Sequence, residues 1–374
     1  MKKKRLKIAI IADALDYQYA GIYYYTKEIL QALARIDTHN QYLFVRSLQE
    51  GDIADNVREI IIPTGKFPGA APYRLFVSIP QRLKKEKVDI VVEPRHFGPF
   101  NLPKNIKRIT FIHDLTPIHH PEWHQFFSRT LQKIFLPSIL KSADHILTNS
   151  EFTKQDILQY FPNISSKITA THLGKESFFR PNPNFKSLES LGILFPYFLH
   201  VGTIEPRKNL STLLKAFEAY KREANNNTQL ILVGKKGWKN EQFFEALKQS
   251  PFNESVRLIG YVKREELVTL YSSAIAFIFP SLFEGFGLPI LEAMSCGCPV
   301  ICSNTGSLPE IGESACLYFD PTSSEEIAHH LKSIANNTSL RKEMAAASLK
   351  QASKFSWDET AKKSLEVFQS LSSK

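Results

Sequence analysis

The chain lacks an apolar run of the roughly 18 residues that a membrane-spanning helix needs. Its basic start, MKKKR, leads into a short apolar run, Ile8–Ala12, which Asp13 ends, and no small-residue cleavage site follows. A secretion signal is therefore not predicted. The 374 residues are 43% apolar and 22% charged, which is typical of globular proteins and enough for two domains. These features predict a cytoplasmic protein.

Cysteine is scarce and confined to one stretch. Because the four residues lie so close together, they cannot link distant parts of a fold, and reduced thiols are expected. No C-x-x-C pair is present, so small buried hydrophobic residues are favoured over a zinc site. The four are Cys296, Cys298, Cys302 and Cys316.

No G-x-G-x-x-G follows the first apolar segment, which counts against a dinucleotide-dependent oxidoreductase. A dense group of polar side chains further along has the composition of a metal site but no second motif to support it. A structured loop over a ligand cleft is the favoured interpretation, and we predict no bound metal. The group consists of His113, Asp114, His119, His120 and His124.

Positive charge is unevenly distributed. Of the net +10, residues 1–190 carry +9. An excess in one half indicates an anionic partner for that half. The basic residues are dispersed and form no nucleic-acid-binding motif, so we predict no nucleic acid. An anionic membrane surface or a phosphate-bearing acceptor is the hypothesis, and a merely solubilising basic face is the alternative. The expected contact residues are Lys84, Lys85, Lys87, Lys104, Lys107 and Arg108.

Short apolar segments alternate with helical patterns along the whole chain, which predicts parallel, doubly wound sheets. A Pro- and Asn-rich stretch around residues 178–185 has no periodicity and reads as a linker. We therefore predict two α/β domains facing across a cleft, with ligands beyond the carboxyl ends of the strands. The predicted strands are Leu6–Ala12, Val88–Val92, Ile109–His113, His145–Asn149, Tyr197–Val201, Gln229–Val233, Val256–Leu258, Ile275–Phe279 and Pro299–Cys302.

The segment FPSLFEGFGLPILEAM, from residue 279, is the most informative. A strand ends before a glycine loop, and Pro289 follows where the first turn of a helix is expected. The free N–H groups of such a helix start suit a diphosphate. Two carboxylates accompany the site, Glu284 in the loop and Glu292 in the expected opening turn. Carboxylates bind sugar hydroxyls well, although Glu292 has the alternative of simply favouring the helix dipole.

A second segment, HVGTIEPRKNL, follows the predicted strand Tyr197–Val201. Arg207 and Lys208 stand just before a helix, where cations can reach a diphosphate. A solvated surface loop is the alternative. Its position after a strand end, with Pro206 in front, favours the functional interpretation.

Taken together, these motifs closely resemble glycosyltransferase family 4 over nearly the whole chain. The E-x7-E pattern is present as Glu284 and Glu292, and the EPRKN stretch spans residues 205–209. The resemblance implies the GT-B fold: two Rossmann-like domains, 1–180 for the acceptor and 181–355 for the donor, and a C-terminal helix, 356–374, that crosses back onto the first domain. It also implies metal-independent transfer of a sugar from a nucleotide diphosphate donor with retention of configuration.

The resemblance further implies individual roles. Arg207 and Lys208 would hold the diphosphate, Glu284 would read the donor sugar, and Glu292 would bind the ribose hydroxyls. The loop backbone would contact sugar and phosphate, Gly21 would lie in a loop over acceptor and diphosphate, and His113 would face the sugar. Thr203 stands where several relatives place another arginine. The loop residues are Gly285, Phe286, Gly287 and Leu288.

VGTIEPRKNL and HDLTPIHHPEWH resemble mannosyl- and rhamnosyltransferases of surface-polysaccharide assembly. That subgroup implies mannose from GDP-mannose as the first choice of donor, a glycan or lipid-linked acceptor, and a position peripheral to the inner face of the cell membrane. Two alternatives from other classes stay open. One is an epimerase or phosphorylase of the same architecture, and the other is a non-catalytic nucleotide-sugar-binding protein.

Overall fold

The computed structural model describes residues 4–17, 20–48, 57–99, 101–123, 126–224 and 226–372. The chain divides into two compact units. The first comprises the residues up to Gly174 together with those from Ser356 onward, and the second is Lys175–Phe355. In the described part of the chain no helix is both long and apolar enough to cross a bilayer.

The first unit is built on a seven-stranded parallel sheet with the order β3-β2-β1-β4-β5-β6-β7. Its central strands are buried along almost their whole length because helices cover both faces of a parallel sheet. The strands are β1 (Lys7–Ile11), β2 (Gln41–Arg46), β3 (Val57–Ile61), β4 (Ile90–Glu93), β5 (Lys107–Ile112), β6 (His145–Thr148) and β7 (Ile168–Ala170).

Helices lie between β1 and β2, β3 and β4, β5 and β6, and β6 and β7, whereas the described residues form no helix between β2 and β3 or between β4 and β5. Among these helices, the one that follows β6 begins at an N-cap, where the Ser150 hydroxyl accepts a hydrogen bond from Thr153 N at 3.0 Å. They are α1 (Ala14–Tyr17), α2 (Ala20–Ile36), α3 (Ala70–Tyr73), α4 (Ile79–Lys85), α5 (Thr116–His119), α6 (Phe126–Ser142) and α7 (Glu151–Tyr160).

The second unit contains a six-stranded parallel sheet with the order β10-β9-β8-β11-β12-β13. Its strands are β8 (Tyr197–Val201), β9 (Gln229–Val233), β10 (Val256–Gly260), β11 (Ala276–Phe279), β12 (Val300–Ser303) and β13 (Cys316–Phe319). Its helices are α8 (Phe185–Ser190), α9 (Leu210–Glu223), α10 (Glu241–Gln249), α11 (Arg264–Ser273), α12 (Leu288–Ser295), α13 (Leu308–Gly312), α14 (Ser324–Asn336) and α15 (Thr338–Ala352).

The last helix, α16 (Trp357–Ser372), belongs to the first unit and packs on α2. Its entry needs a residue without a side chain at Gly174, because a Cβ there would lie 2.0 Å from Trp357 N. The Thr360 hydroxyl donates to the carbonyl oxygen of His172 at 2.6 Å, and Arg35 pairs with Asp358. The chain thus returns to the first sheet after completing the second.

The first boundary lies six residues before the position expected from the sequence, after Gly174 rather than residue 180. Lys175 N donates to the carbonyl oxygen of Phe355, and Glu176 pairs with Arg264 at 2.5 Å. Phe179 packs on Tyr271 with ring centroids 6.1 Å apart. These contacts hold the Pro- and Asn-rich stretch on the second unit, although its backbone is irregular as expected.

Candidate functional site

The loops after β8 and β9 approach each other closely at the carboxyl edge of the second sheet. A Cβ on Gly234 would lie 2.0 Å from the carbonyl oxygen of Gly202, so this approach requires glycine. The half-buried Thr203 follows, and Ile204 N donates to Lys235 O at 3.0 Å. The close packing of these two loops fixes the position of the segment that follows Ile204.

Those residues form a 3₁₀ turn, Pro206–Lys208, that carries the two cations. Asn209 ends the turn in the left-handed conformation, with φ of 53°, and α9 starts directly after it. Leu282 N donates to the carbonyl oxygen of Arg207 at 2.8 Å, which ties the turn to the segment after β11. Because β8 and β11 are neighbours in the sheet, two distant stretches of sequence meet here.

The meeting produces a cluster of alternating charge. Lys208 Nζ lies 2.5 Å from Glu284 Oε1, and Arg207 Nη1 lies 2.7 Å from the other oxygen, Oε2. Arg207 also pairs with Glu205 at 2.9 Å. Lys208 lies over the Phe279 ring, 4.6 Å from its centroid. The structure therefore brings together three of the residues predicted from the sequence and adds Glu205, for which no separate role was predicted.

The carboxylate of Glu284 stays ionised in this cluster. Burial alone would raise its pKa, but the charges of Arg207 and Lys208 and the hydrogen bond from Lys208 lower the pKa to about 2. Its backbone is held as well, since Ser307 N and the Ser307 hydroxyl both donate to Glu284 O. Gly306 permits this contact, because a Cβ there would lie 2.6 Å from the same oxygen.

The glycine loop leads directly into α12. Gly287 adopts φ of 96° and caps the helix, and a Cβ there would also lie 2.6 Å from Leu308 Cδ2. Leu288 and Pro289 begin the helix, so its first N–H groups lie next to the loop. Gly285 and Phe286 are buried, and the Phe286 ring packs edge-on against Phe355. The helix start expected after the glycine loop is therefore confirmed, and the anion site expected there stays a prediction.

Glu292 is the fifth residue of α12, not part of its opening turn. The expected placement was wrong by one turn, and an interaction with the start of the helix dipole no longer accounts for this carboxylate. The Tyr271 hydroxyl donates to Glu292 Oε2 at 3.1 Å. Burial raises the pKa of Glu292 to about 7, with Arg264 opposing the rise and Glu176 adding to it. Sequence reasoning missed Tyr271, which carries no motif.

A buried histidine, also missed, lies below the cation turn. His200 Nδ1 donates to the Ile278 carbonyl oxygen at 3.0 Å, and its ring stacks near Phe277 and Phe279. Burial lowers the pKa of His200 to about 4, and Lys208 adds to this effect. A neutral imidazole therefore lies near Lys208 without adding to its positive charge.

In the first unit, His113 directly follows β5 at the carboxyl edge of the sheet. Its Nε2 lies 2.8 Å from the carbonyl oxygen of Pro94, and Tyr25 packs edge-on against its ring. Gly21 lies in the first turn of α2 rather than in a loop, which corrects the expectation. It is exposed, and a Cβ there would meet nothing within 4 Å.

Two further histidines of the cluster have structural partners. His119 pairs with Asp156 at 2.7 Å, and His120 stacks on Trp123. His124 lies outside the described residues. Across the described ranges, no group of three or more His, Cys, Asp and Glu side chains is placed to hold a metal ion. The four cysteines are buried free thiols, as predicted.

The proposed cationic face is only partly a surface. Lys84, Lys85, Lys87 and Lys104 are exposed, but Lys107 pairs with Asp144 at 3.1 Å. The expectation was wrong for Arg108, which is buried and pairs with Glu93 on the neighbouring strand at 2.9 Å.

Two doubly wound parallel units, one with a cation turn and a glycine-loop helix start, define the GT-B class of glycosyltransferases. The family model described as Glycosyltransferase Family 4 matches residues 19–174, and that described as Glycosyl transferases group 1 matches residues 194–351. The chain is 35% identical over 285 residues to "O-antigen chain mannosyltransferase B" of Escherichia coli, covering 74% of each protein. The chain belongs to glycosyltransferase family 4 and is a glycosyltransferase.

A second relative, "Serotype-specific mannosyltransferase WbdA" of Escherichia coli, is 28% identical over 280 residues, which cover 71% of this chain and 34% of that protein. Among solved structures, sucrose-phosphate synthase from Thermosynechococcus elongatus superposes with a TM-score of 0.80 at 19% identity, covering 99% of this chain and 100% of that one. WaaG, a glycosyltransferase involved in lipopolysaccharide biosynthesis, gives 0.72 at 17% identity, covering 97% and 99%. These structures show the shared fold.

Proposed function

We propose that the enzyme transfers a hexose from a nucleotide diphosphate donor to a glycan or lipid-linked acceptor, with retention of configuration and without a metal ion. The buried cluster of Arg207, Lys208 and Glu284 beside the start of α12 carries this proposal. Mannose from GDP-mannose is the first choice of donor, because the two relatives described above are named mannosyltransferases.

In the proposed reaction, the bond between the sugar C1 and the β-phosphate oxygen breaks, and negative charge develops on the departing diphosphate. Arg207, Lys208 and the positive end of the α12 dipole stabilise that charge, as a metal ion does in other enzymes. The acceptor oxygen forms its bond to C1 on the same face, and its proton passes to the departing phosphate. Both oxygens of Glu284 already bind cations, which argues against its acting as a covalent nucleophile.

The test is a panel of nucleotide sugars with a labelled glycan or lipid-linked acceptor, with the product anomer assigned by NMR. We expect GDP-mannose to be consumed, an α-linked product, and full activity in EDTA. A β-linked product would contradict retention. Complete loss of activity in EDTA, restored by Mg²⁺ or Mn²⁺, would contradict metal independence.

We also propose that the first unit contacts an anionic membrane surface at the inner face of the cell membrane. Lys84, Lys85 and Lys87 are exposed at the end of α4. On α6, Ile134 is 63% exposed and Lys133 is exposed beside it. Exposed cations and an exposed apolar side chain on a helix are features of proteins that bind the surface of anionic bilayers.

A further inference from the structure

Two histidines of the first unit contact each other at the carboxyl edge of the sheet. His96 lies in the loop after β4, and His113 directly follows β5, the neighbouring strand. The ring nitrogen Nε2 of His96 accepts a hydrogen bond from the backbone N–H of His113 at 2.8 Å. The two rings stack with centroids 5.7 Å apart and an interplanar angle of 28°.

These contacts assign the tautomer of both rings. Nε2 of His113 lies 2.8 Å from the carbonyl oxygen of Pro94, which can only accept, so Nε2 carries the hydrogen and Nδ1 is an acceptor. Nε2 of His96 accepts from an N–H, so the hydrogen of that ring is on Nδ1. Neither Nδ1 atom makes a hydrogen bond with any other group in the described part of the chain.

The backbone and the burial of His96 both support a functional role. Its φ of 64° lies in the left-handed region, which is unfavourable for a residue other than glycine and is often found at ligand sites. Burial lowers the pKa of His96 to about 4, with His113 and Arg95 adding to the effect and Asp114 opposing it. The ring therefore stays neutral, and its tautomer persists, over the neutral pH range.

We propose that His96 is a second specificity-determining residue, which together with His113 binds one sugar hydroxyl. The hydroxyl donates its hydrogen to Nδ1 of His113 and accepts the Nδ1 hydrogen of His96. A hydroxyl fits because it is both donor and acceptor, whereas a phosphate oxygen only accepts and an ammonium only donates. The inference rests on the proposed function, which brings a sugar on the donor and another on the acceptor.

The test compares kcat/KM of the wild type and of two variants, His96→Phe and His96→Asn, on intact and singly deoxygenated substrates. Phe keeps the ring but has no ring nitrogen, and Asn tolerates the left-handed backbone. On intact substrates we expect a loss of about tenfold, the size of one hydrogen bond. The loss should vanish with the one analogue that lacks the recognised hydroxyl. Cancellation with a deoxy-donor assigns that hydroxyl to the transferred sugar, and cancellation with a deoxy-acceptor assigns it to the glycan.

His145→Phe is the matched control. This half-buried histidine begins β6 at the opposite edge of the sheet, with Nε2 2.9 Å from the Thr169 hydroxyl. Its substitution should change kcat/KM by the same factor on every substrate, intact or deoxygenated. If both His96 variants also lost kcat/KM by the same factor on every substrate, His96 would only support the backbone, and the proposal would be wrong. A wild type that turns over no nucleotide sugar in the panel would instead overturn the proposed function and this inference with it.

Discussion

Lys208 and Glu284 form a buried ion pair with 2.5 Å between Nζ and Oε1, and Arg207 binds the second oxygen of the same carboxylate. Arg207 also pairs with Glu205, so two cations and two carboxylates form a formally neutral cluster. A diphosphate that binds here has to share cations that the carboxylates already hold. Glu284 and the diphosphate are therefore expected to affect each other, even if the carboxylate also reads the donor sugar.

Glu284→Gln should lower the stability of the protein and increase its stabilisation by GDP. The substitution leaves Lys208 buried without its closest opposite charge, and breaking a buried pair in this way costs about 3–5 kcal/mol. We expect a lower melting temperature, which GDP raises by more than it does in the wild type because the diphosphate supplies the missing charge. Glu313→Gln is the control, since its pair with Lys354 is half-exposed. If GDP raised the melting temperature equally in the wild type and in Glu284→Gln, the prediction that the diphosphate binds at this cluster would be wrong.

Arg207→Ala and Lys208→Ala test the proposed stabilisation of the leaving group. Each should lower kcat at saturating donor about 10²–10³-fold, the usual effect of removing one group that stabilises transition-state charge. Lys248→Ala, at an exposed position of the same unit, should have no effect. The measurement is initial-rate kinetics on variants whose circular dichroism matches that of the wild type. If kcat is unchanged in both variants, the diphosphate lies elsewhere.

Glu292 should make both stability and ligand binding depend on pH. Burial raises its pKa to about 7, well above the value of about 4.3 in an unfolded chain. Between these values the folded state holds a proton that the unfolded state has lost, so this residue makes stability fall as pH rises. If ribose hydroxyls donate to its carboxylate, GDP binding should tighten as pH rises through 7.

Calorimetry at pH 6 and pH 8 measures the effect on binding. Glu292→Gln is the control, because any titration of the phosphate remains in the variant while that of Glu292 is lost. A smaller increase in affinity is therefore expected for Glu292→Gln than for the wild type. Identical pH dependence in the two proteins would contradict contact between Glu292 and the nucleotide.

Some parts of the fold could be predicted from the sequence and others could not. β8 and β9 were predicted with their observed ends, since both are short apolar runs buried along most of their length. β2 was not identified because it ends in Arg46, a buried charged residue that pairs with Asp16 and Glu59. β3 is an edge strand that carries Arg58 and Glu59, and with these two charged residues it lacks the apolar run by which the other strands were predicted.

The candidate site shows a similar division. Charged residues and glycines in the segments after strand ends led to the prediction that Arg207, Lys208 and Glu284 belong to the site. Their pairing could not be predicted, because it depends on β8 and β11 being neighbours in the sheet. His96 was missed for a related reason, since its partner His113 follows a different strand and no local motif marks the contact.

Gly21 and Gly306 provide a matched test of two glycines. Gly21 is exposed in the first turn of α2, with open space where a Cβ would be, so Gly21→Ala should keep or slightly raise stability. If donor or acceptor passes close to this backbone, activity should fall nonetheless. Gly306→Ala should lower both stability and activity, because φ is 63° and the Cβ would lie 2.6 Å from Glu284 O. Full activity in Gly21→Ala would remove this residue from the site.

The last prediction concerns the exposed lysines of the first unit. Each cation near an anionic bilayer contributes about 1 kcal/mol, and at physiological ionic strength salt screens the attraction beyond about 8 Å. Sedimentation with vesicles that contain anionic lipid should therefore show binding that weakens as salt rises. The triple variant Lys84→Ser, Lys85→Ser, Lys87→Ser should bind less and keep its affinity for GDP.

A triple substitution in the second unit, Lys248→Ser, Lys342→Ser and Lys350→Ser, removes the same charge from other exposed positions. If attraction came only from net charge, the two triple variants would lose binding equally. A larger loss in the first triple variant would therefore locate the contact at the end of α4. Failure of the wild type to sediment with anionic vesicles even at low salt would make the excess charge a solubility feature and favour an acceptor that is not held in a membrane.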